Sequence, residues 1–237
     1  MSSVHLKVLL VHGAGGGAWE WQMWESEFRS AGYDVHAIDL LPVGGDYSAT
    51  HFSDYLDQIQ LNSDYDILIG ASMGGILCLK ACEYRSPRAL ILVCSAISSG
   101  FPSTVYGPPY EEVIKWSQGS YESTRSALPD SDEELCRTIW NKWRDESGTV
   151  LNEIRGGIDA SRPDCPILSI IPGADSTIDP SIQTEFATRL KADSVCYAGM
   201  SHVGPLLSRR APEVARQVIS WLRERELDPP FPSNSIL

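Results

Sequence analysis

What this chain has little of narrows its reading first. Across 237 residues no apolar run approaches the roughly 18 residues of a membrane-spanning helix. The opening Met1-Ser2-Ser3-Val4-His5-Leu6-Lys7 lacks a charged head followed by a long apolar stretch, so no signal peptide is expected. Positive charge is scarce: 19 Lys and Arg stand against 31 Asp and Glu, for a formal net charge of -12. That deficit argues against nucleic acid or an anionic membrane as a partner, since both need surplus cations. The six cysteines show no metal spacing. Cys78 and Cys82 are four apart on an expected helix, Cys94 falls in an expected strand, and Cys136, Cys165 and Cys196 are scattered. They read as small buried thiols of a reducing compartment, which places the protein in the cytoplasm. Repeats and low-complexity tracts are missing too.

The most informative stretch present is Ile69-Gly70-Ala71-Ser72-Met73-Gly74-Gly75. Tyr65-Asp66-Ile67-Leu68-Ile69 before it reads as a buried strand, and Ile76-Leu77-Cys78-Leu79-Lys80-Ala81-Cys82 after it reads as a helix. A serine at a strand-to-helix turn flanked by glycines is a nucleophile elbow. The turn is tight, so Gly70 and Gly74 must tolerate close backbone approach or unusual φ/ψ. The following helix aims backbone N–H groups at the serine.

Strand-like and helix-like segments alternate along the chain. Strands are expected at Lys7–Val11, Asp34–Ile38, 66–70, Ala89–Cys94, Pro166–Ile171 and Ser194–Tyr197. Helices are expected at Glu20–Ser30, His51–Gln60, 73–84, Ser181–Leu190 and Pro212–Arg225. This rhythm implies a mainly parallel sheet of about six strands with helices on both faces. Residues 97–162 break it. Pro and Gly open the segment, and about three amphipathic helices carry Trp116, Tyr121, Trp140 and Trp143. The segment reads as a helical cap over the strand ends, with ordinary helix packing as the plainer alternative for some of its aromatics. The core is then 1–96 and 163–227, with a loose tail at 228–237.

A serine hydroxyl needs a base, and in the order Ser, acid, His the base comes last. Of five histidines only His202 follows the last expected strand, in a glycine-containing loop that can reach the elbow. The acid should leave the preceding strand, in Ile171-Pro172-Gly173-Ala174-Asp175-Ser176-Thr177-Ile178-Asp179-Pro180. Asp175 sits directly off that strand and is favoured; Asp179 precedes Pro180 and reads well as a helix N-cap. The tetrahedral oxyanion needs two donors, the backbone N–H groups of Met73 and of Ala14 in His12-Gly13-Ala14-Gly15. A glycine run can also cradle phosphate. Here no Gly-Lys-Ser/Thr follows, and the dinucleotide spacing is missing, so no cofactor is expected.

Together these motifs resemble the α/β-hydrolase superfamily over almost the whole chain. His12-Gly13-Ala14-Gly15 with Ala18-Trp19-Glu20-Trp21, Ala31-Gly32-Tyr33-Asp34-Val35 and Asp39-Leu40 is similar to the plant esterase and hydroxynitrile lyase group. The resemblance implies Ser72 as nucleophile, His202 as base and an oxyanion hole from Ala14 and Met73. It puts the acid at Ser176, three residues after the glycine; Asp175 is one residue early, which implies a small loop adjustment. The lyases of the group carry a lysine after the histidine and a threonine after the first-strand histidine, where this chain has Val203 and Gly13. Hydrolysis of an ester, lactone or thioester is therefore expected. A carbon–carbon hydrolase, lyase or cyclase acting on a polyketide-like intermediate is the alternative, and a non-hydrolytic receptor on the same scaffold is the alternative of another class. Trp116, Tyr106 and Trp140, with Gly13 and Val203, are expected around a small apolar or aromatic substrate. No metal is expected.

Overall fold

A computed structural model describes residues 6–101 and 108–229. In chain order the core begins with β1 (Lys7–Val11), α1 (Gln22–Ser30), β2 (Asp34–Ile38), α2 (Phe52–Leu61), β3 (Ile67–Ala71), α3 (Met73–Ala81) and β4 (Ala89–Val93). An insertion follows: β5 (Val113–Ile114), α4 (Tyr121–Ala127), α5 (Glu133–Trp140), β6 (Glu146–Ser147) and α6 (Gly148–Gly156). The core resumes with β7 (Ile167–Pro172), α7 (Pro180–Arg189), β8 (Asp193–Tyr197), α8 (Gly204–Leu207) and α9 (Ala211–Arg223).

The six long strands form one parallel sheet in the order β2-β1-β3-β4-β7-β8. Its central strands are apolar at successive positions because helices cover both faces. On β1, Val8 and Leu10 join one core cluster while Leu9 and Val11 join the other. The first cluster takes Trp24 and Phe28 of α1 with Val214, Val218 and Leu222 of α9. Trp24 stacks on Phe28 at 6.0 Å and donates its indole N–H to the Pro205 carbonyl at 2.9 Å. The second cluster takes Tyr55 and Ile59 of α2, Leu77 of α3 and Phe186 of α7. Each such side chain, fully buried, contributes about 1.5–3 kcal/mol.

Two expectations shift. The helix expected from Glu20 starts earlier, as a short 3-10 turn over Ala18–Trp21, and Glu20 turns inward and is buried. Five cysteines are buried and free, but Cys196 on the edge strand β8 is exposed. Among the described residues no helix is long and apolar enough to cross a membrane, and no cluster of three or more His, Cys, Asp or Glu could hold a metal ion.

Candidate active site

The sheet's geometry delivers the site to one edge, where strands β1, β3, β4, β7 and β8 end. Ser72 follows β3 directly and has φ 51°, ψ −117°, a left-handed conformation that costs a non-glycine residue on the order of 1–3 kcal/mol. Three backbone bonds hold it there. Its N–H donates to the Val93 carbonyl (2.9 Å), and its own carbonyl accepts from Gly75 (3.0 Å) and Ala96 (2.9 Å). The flanking glycines serve close approach, with no positive φ. A Cβ at Gly70 would run into the Gly74 carbonyl, and one at Gly74 into the Val11 and His12 carbonyls.

His202 lies in the loop between β8 and α8. Its Nε2 is 3.0 Å from Ser72 Oγ, and its Nδ1 is 2.8 Å from Asp175 Oδ2. A carboxylate only accepts, so Nδ1 carries the proton and Nε2 presents its lone pair to the serine hydroxyl. Asp175 is itself fully engaged. Oδ1 accepts from the N–H groups of Thr177 (2.8 Å) and Ile178 (2.9 Å), and Oδ2 also accepts from Gln183 Nε2 (2.8 Å). The loop absorbs the one-residue offset from Ser176 by turning right after the strand, with Asp175 N–H bonded to the Pro172 carbonyl at 3.3 Å. Asp179 does something else. It caps α7, accepting from Ser181 N–H (2.8 Å) and Oγ (2.6 Å).

The glycine loop 13–17 comes over from β1. Ala14 and Met73 both border the same cavity as Ser72 and His202, and among the described residues neither amide is taken by a backbone acceptor. Beneath the loop sits His12, buried. The Leu40 N–H donates to its Nε2 (2.9 Å), so its Nδ1–H donates to the Gly13 carbonyl (2.7 Å). Burial first, then the nearby Arg144 cation, pulls its pKa down to about 4 against the opposing Gly13 bond, so the ring is neutral.

The cavity holds about 480 Å³ between the strand ends and the insertion. Gly13, Trp116 and Val203 border it, and Trp143 joins them. Trp116 lies directly over Gly15, where its ring would collide with any Cβ. Trp140 does not border the cavity. Its ring meets Tyr121 edge-on at 5.7 Å, and its indole N–H donates to the Gly119 carbonyl at 2.8 Å. An aromatic on an amphipathic helix has the same sequence signature in either place, so its expected role near substrate is withdrawn. Tyr106 lies outside the described residues.

Several polar residues escaped the sequence reading. From the insertion, Arg144 donates its backbone N–H to Gly15 O (2.8 Å) and its Nε to Gly16 O (2.6 Å). Glu146 accepts from Gly15 N–H (2.9 Å) and the Tyr55 hydroxyl (2.7 Å), and burial pushes its carboxyl pKa up. Asp130 accepts from Ser201 N–H (3.0 Å) and Oγ (2.5 Å), next to His202. These partners are distant in sequence, so no local pattern marks them. For Arg144, the only available signal was its place beside aromatics in a segment expected to cover the strand ends.

A sequence model of the alpha/beta hydrolase family matches residues 8–217. Norfluorocurarine synthase 1 of Strychnos nux-vomica is 33% identical over 127 residues, 46% of this chain and 45% of that protein. Methylesterase 3 of Arabidopsis thaliana is 27% identical over 135 residues, 52% of this chain and 49% of that protein. The chain thus spans about half the length of the curated relatives it matches. Among solved structures, polyneuridine aldehyde esterase superposes with TM-score 0.69 at 16% identity, covering 91% of this chain and 99% of its own. With the family match running through β1, the elbow, the insertion and most of α9, the chain belongs to the alpha/beta hydrolase family.

Proposed function

We propose that this protein is a serine-nucleophile hydrolase of an ester, lactone or thioester. The observation that carries the reading is the unbroken relay from Asp175 through His202 to Ser72, with contacts of 2.8 and 3.0 Å. His202 takes the proton from Ser72 Oγ as the oxygen attacks the substrate carbonyl carbon. Asp175 holds the imidazole in its Nδ1–H tautomer and stabilises the imidazolium that forms. The amides of Ala14 and Met73 receive the oxyanion, the second of them reinforced by the N-terminal end of α3. His202 then returns its proton to the leaving oxygen or sulfur. A water, deprotonated in turn by His202, releases the acyl group and restores Ser72.

The cavity, with Trp116, Trp143, Val203 and Leu206 in its wall, favours a small apolar or aromatic acyl or alcohol portion. The insertion acts as the cap that supplies the two tryptophans of this wall, while Val203 and Leu206 come from the core. The esterase names among the relatives support an ester as substrate, while the synthase name supports a second reading, carbon–carbon cleavage or cyclisation by the same three residues. Five buried free thiols fit a cytoplasmic setting.

A serine-reactive phosphonate followed by peptide mass spectrometry tests the assignment. The adduct is expected on the Ser72 peptide and is expected to disappear in Ser72→Ala. Turnover of a chromogenic acyl ester should fall by about 10⁴-fold in Asp175→Asn and by less than threefold in Asp179→Asn, since asparagine also caps helices well. Unaltered turnover in Ser72→Ala would end the hydrolase reading.

A further inference from the structure

Two buried acids take no part in the acyl-transfer scheme: Glu146, which grips the glycine loop from the insertion, and Glu20. Glu20 is 3% exposed and borders the cavity from below the glycine loop. The loop is wrapped around its carboxyl group. Gly13 N–H donates to Glu20 Oε2 at 3.3 Å, a Cβ on Gly16 would run into the carboxyl group, and Glu20 N–H closes the turn on the Gly17 carbonyl at 3.0 Å. Gly13 in turn touches the elbow: a Cβ there would lie 3.2 Å from Ser72 Cβ and 3.9 Å from Oγ. The carboxyl therefore sits one residue behind both the nucleophile and the Ala14 amide.

We propose that Glu20 is a positioning residue that works as a neutral carboxylic acid. It holds the glycine loop in shape, and its ionisation places a negative charge behind the oxyanion site and suppresses the reaction. This rests on the acyl-transfer reading above. Burial favours the neutral form, whereas the donors around the carboxyl favour the charged one. Burial is the first cause of a pKa pushed up to about 8, opposed in part by the Gly13 bond and by Arg144. The other groups that face this region do not supply a compensating proton at neutral pH. His12 at the end of β1 is neutral. The thiol of Cys94 after β4 is held well above its usual range by burial. Glu146 of β6 grips the loop from the opposite side and Asp39 pairs with Arg144 at 3.3 Å. His202 and Asp175 lie across the cavity and are committed to each other. A developing oxyanion and a carboxylate on one short loop repel each other in a poorly solvated space, so charge at Glu20 penalises the transition state more than the neutral ground state.

Glu20→Gln is the decisive variant, because it keeps an acceptor oxygen at nearly the same place and cannot ionise. For a neutral ester, wild-type kcat/KM is expected to fall about tenfold as pH rises through about 8. Glu20→Gln is expected to start a few-fold lower near neutrality, lack that alkaline limb and overtake the wild type above it. Difference infrared spectra of wild type minus variant should show a protonated carboxyl band that titrates over the same range. An identical alkaline limb in both proteins, or an ionised Glu20 at neutral pH, would overturn the proposal. Failure of the phosphonate to label Ser72 would remove the acyl-transfer reading, and the catalytic half of this inference with it. The infrared titration would still decide the charge state by itself.

Discussion

Among the places where the insertion grips the core, the glycine loop and the histidine loop differ in kind. At the glycine loop the contact is buried and redundant. Arg144 and Glu146 together make four contacts to residues 12–16, and Ser147 Oγ adds a bond to the Thr50 carbonyl at 2.7 Å. At the histidine loop the contact is lighter. Asp130 holds Ser201, Ser131 Oγ donates to the Leu207 carbonyl at 2.5 Å, and Arg209 meets Asp132 at 3.2 Å on the surface. On the proposed mechanism the oxyanion donors are main-chain groups that must be fixed in place, and a loop that carries Ala14 and is held from above and below fits that need. On the same proposed mechanism the imidazole reorients slightly between two proton transfers, and a lighter hold on its loop suits that.

This contrast can be broken at either end. Glu146→Ala strands the Gly15 amide and the Tyr55 hydroxyl without partners, and is expected to cost about 3–5 kcal/mol in urea unfolding, with Glu146→Gln losing clearly less. The pH dependence of stability tests the same grip. His12 is depressed to about 4 in the folded chain against 6.5, so its contribution is present above 6.5 and is lost as pH falls through 4, up to about 3 kcal/mol. Glu20, raised to about 8 from 4.5, slopes the other way: its contribution is full below 4.5 and is lost as pH rises through 8. Unfolding midpoints of His12→Gln should therefore flatten on the acid side, and those of Glu20→Gln on the alkaline side. Asp130→Ala should cost only about 1–2 kcal/mol, yet lower kcat about tenfold with KM nearly unchanged, because it frees the loop that aims His202. Arg209→Ala, at a largely exposed pair, should move stability by less than about 1 kcal/mol. If Asp130→Ala proves as destabilising as Glu146→Ala, the two grips are alike and the contrast is gone.

The same split governs what the sequence discloses. The sheet was legible because each central strand is a short apolar run between turn residues and strands alternate with helices on either side of the insertion. Ser72 and His202 were legible because glycines crowd the elbow and because only one histidine lies beyond the last strand. Asp175 could be favoured over Asp179 since Pro180 marks Asp179 as a cap. Glu20, Asp130, Arg144 and Glu146 were not legible. Asp130, Arg144 and Glu146 are ordinary charged residues in polar stretches whose importance comes from partners far along the chain, and Glu20, between Trp19 and Trp21, gains its importance by turning inward at a 3-10 turn. Trp140 failed for the converse reason: periodicity reveals that a face is apolar, without revealing what it faces.

The uneven distribution of thiols has a practical side. Cys196 alone among the six is exposed, on the rim strand that leads into the His202 loop. A maleimide fluorophore applied to the folded protein should attach at that one point with no engineering. Its emission would then follow the arrival of ligands from the strand that precedes the His202 loop, without occupying the cavity.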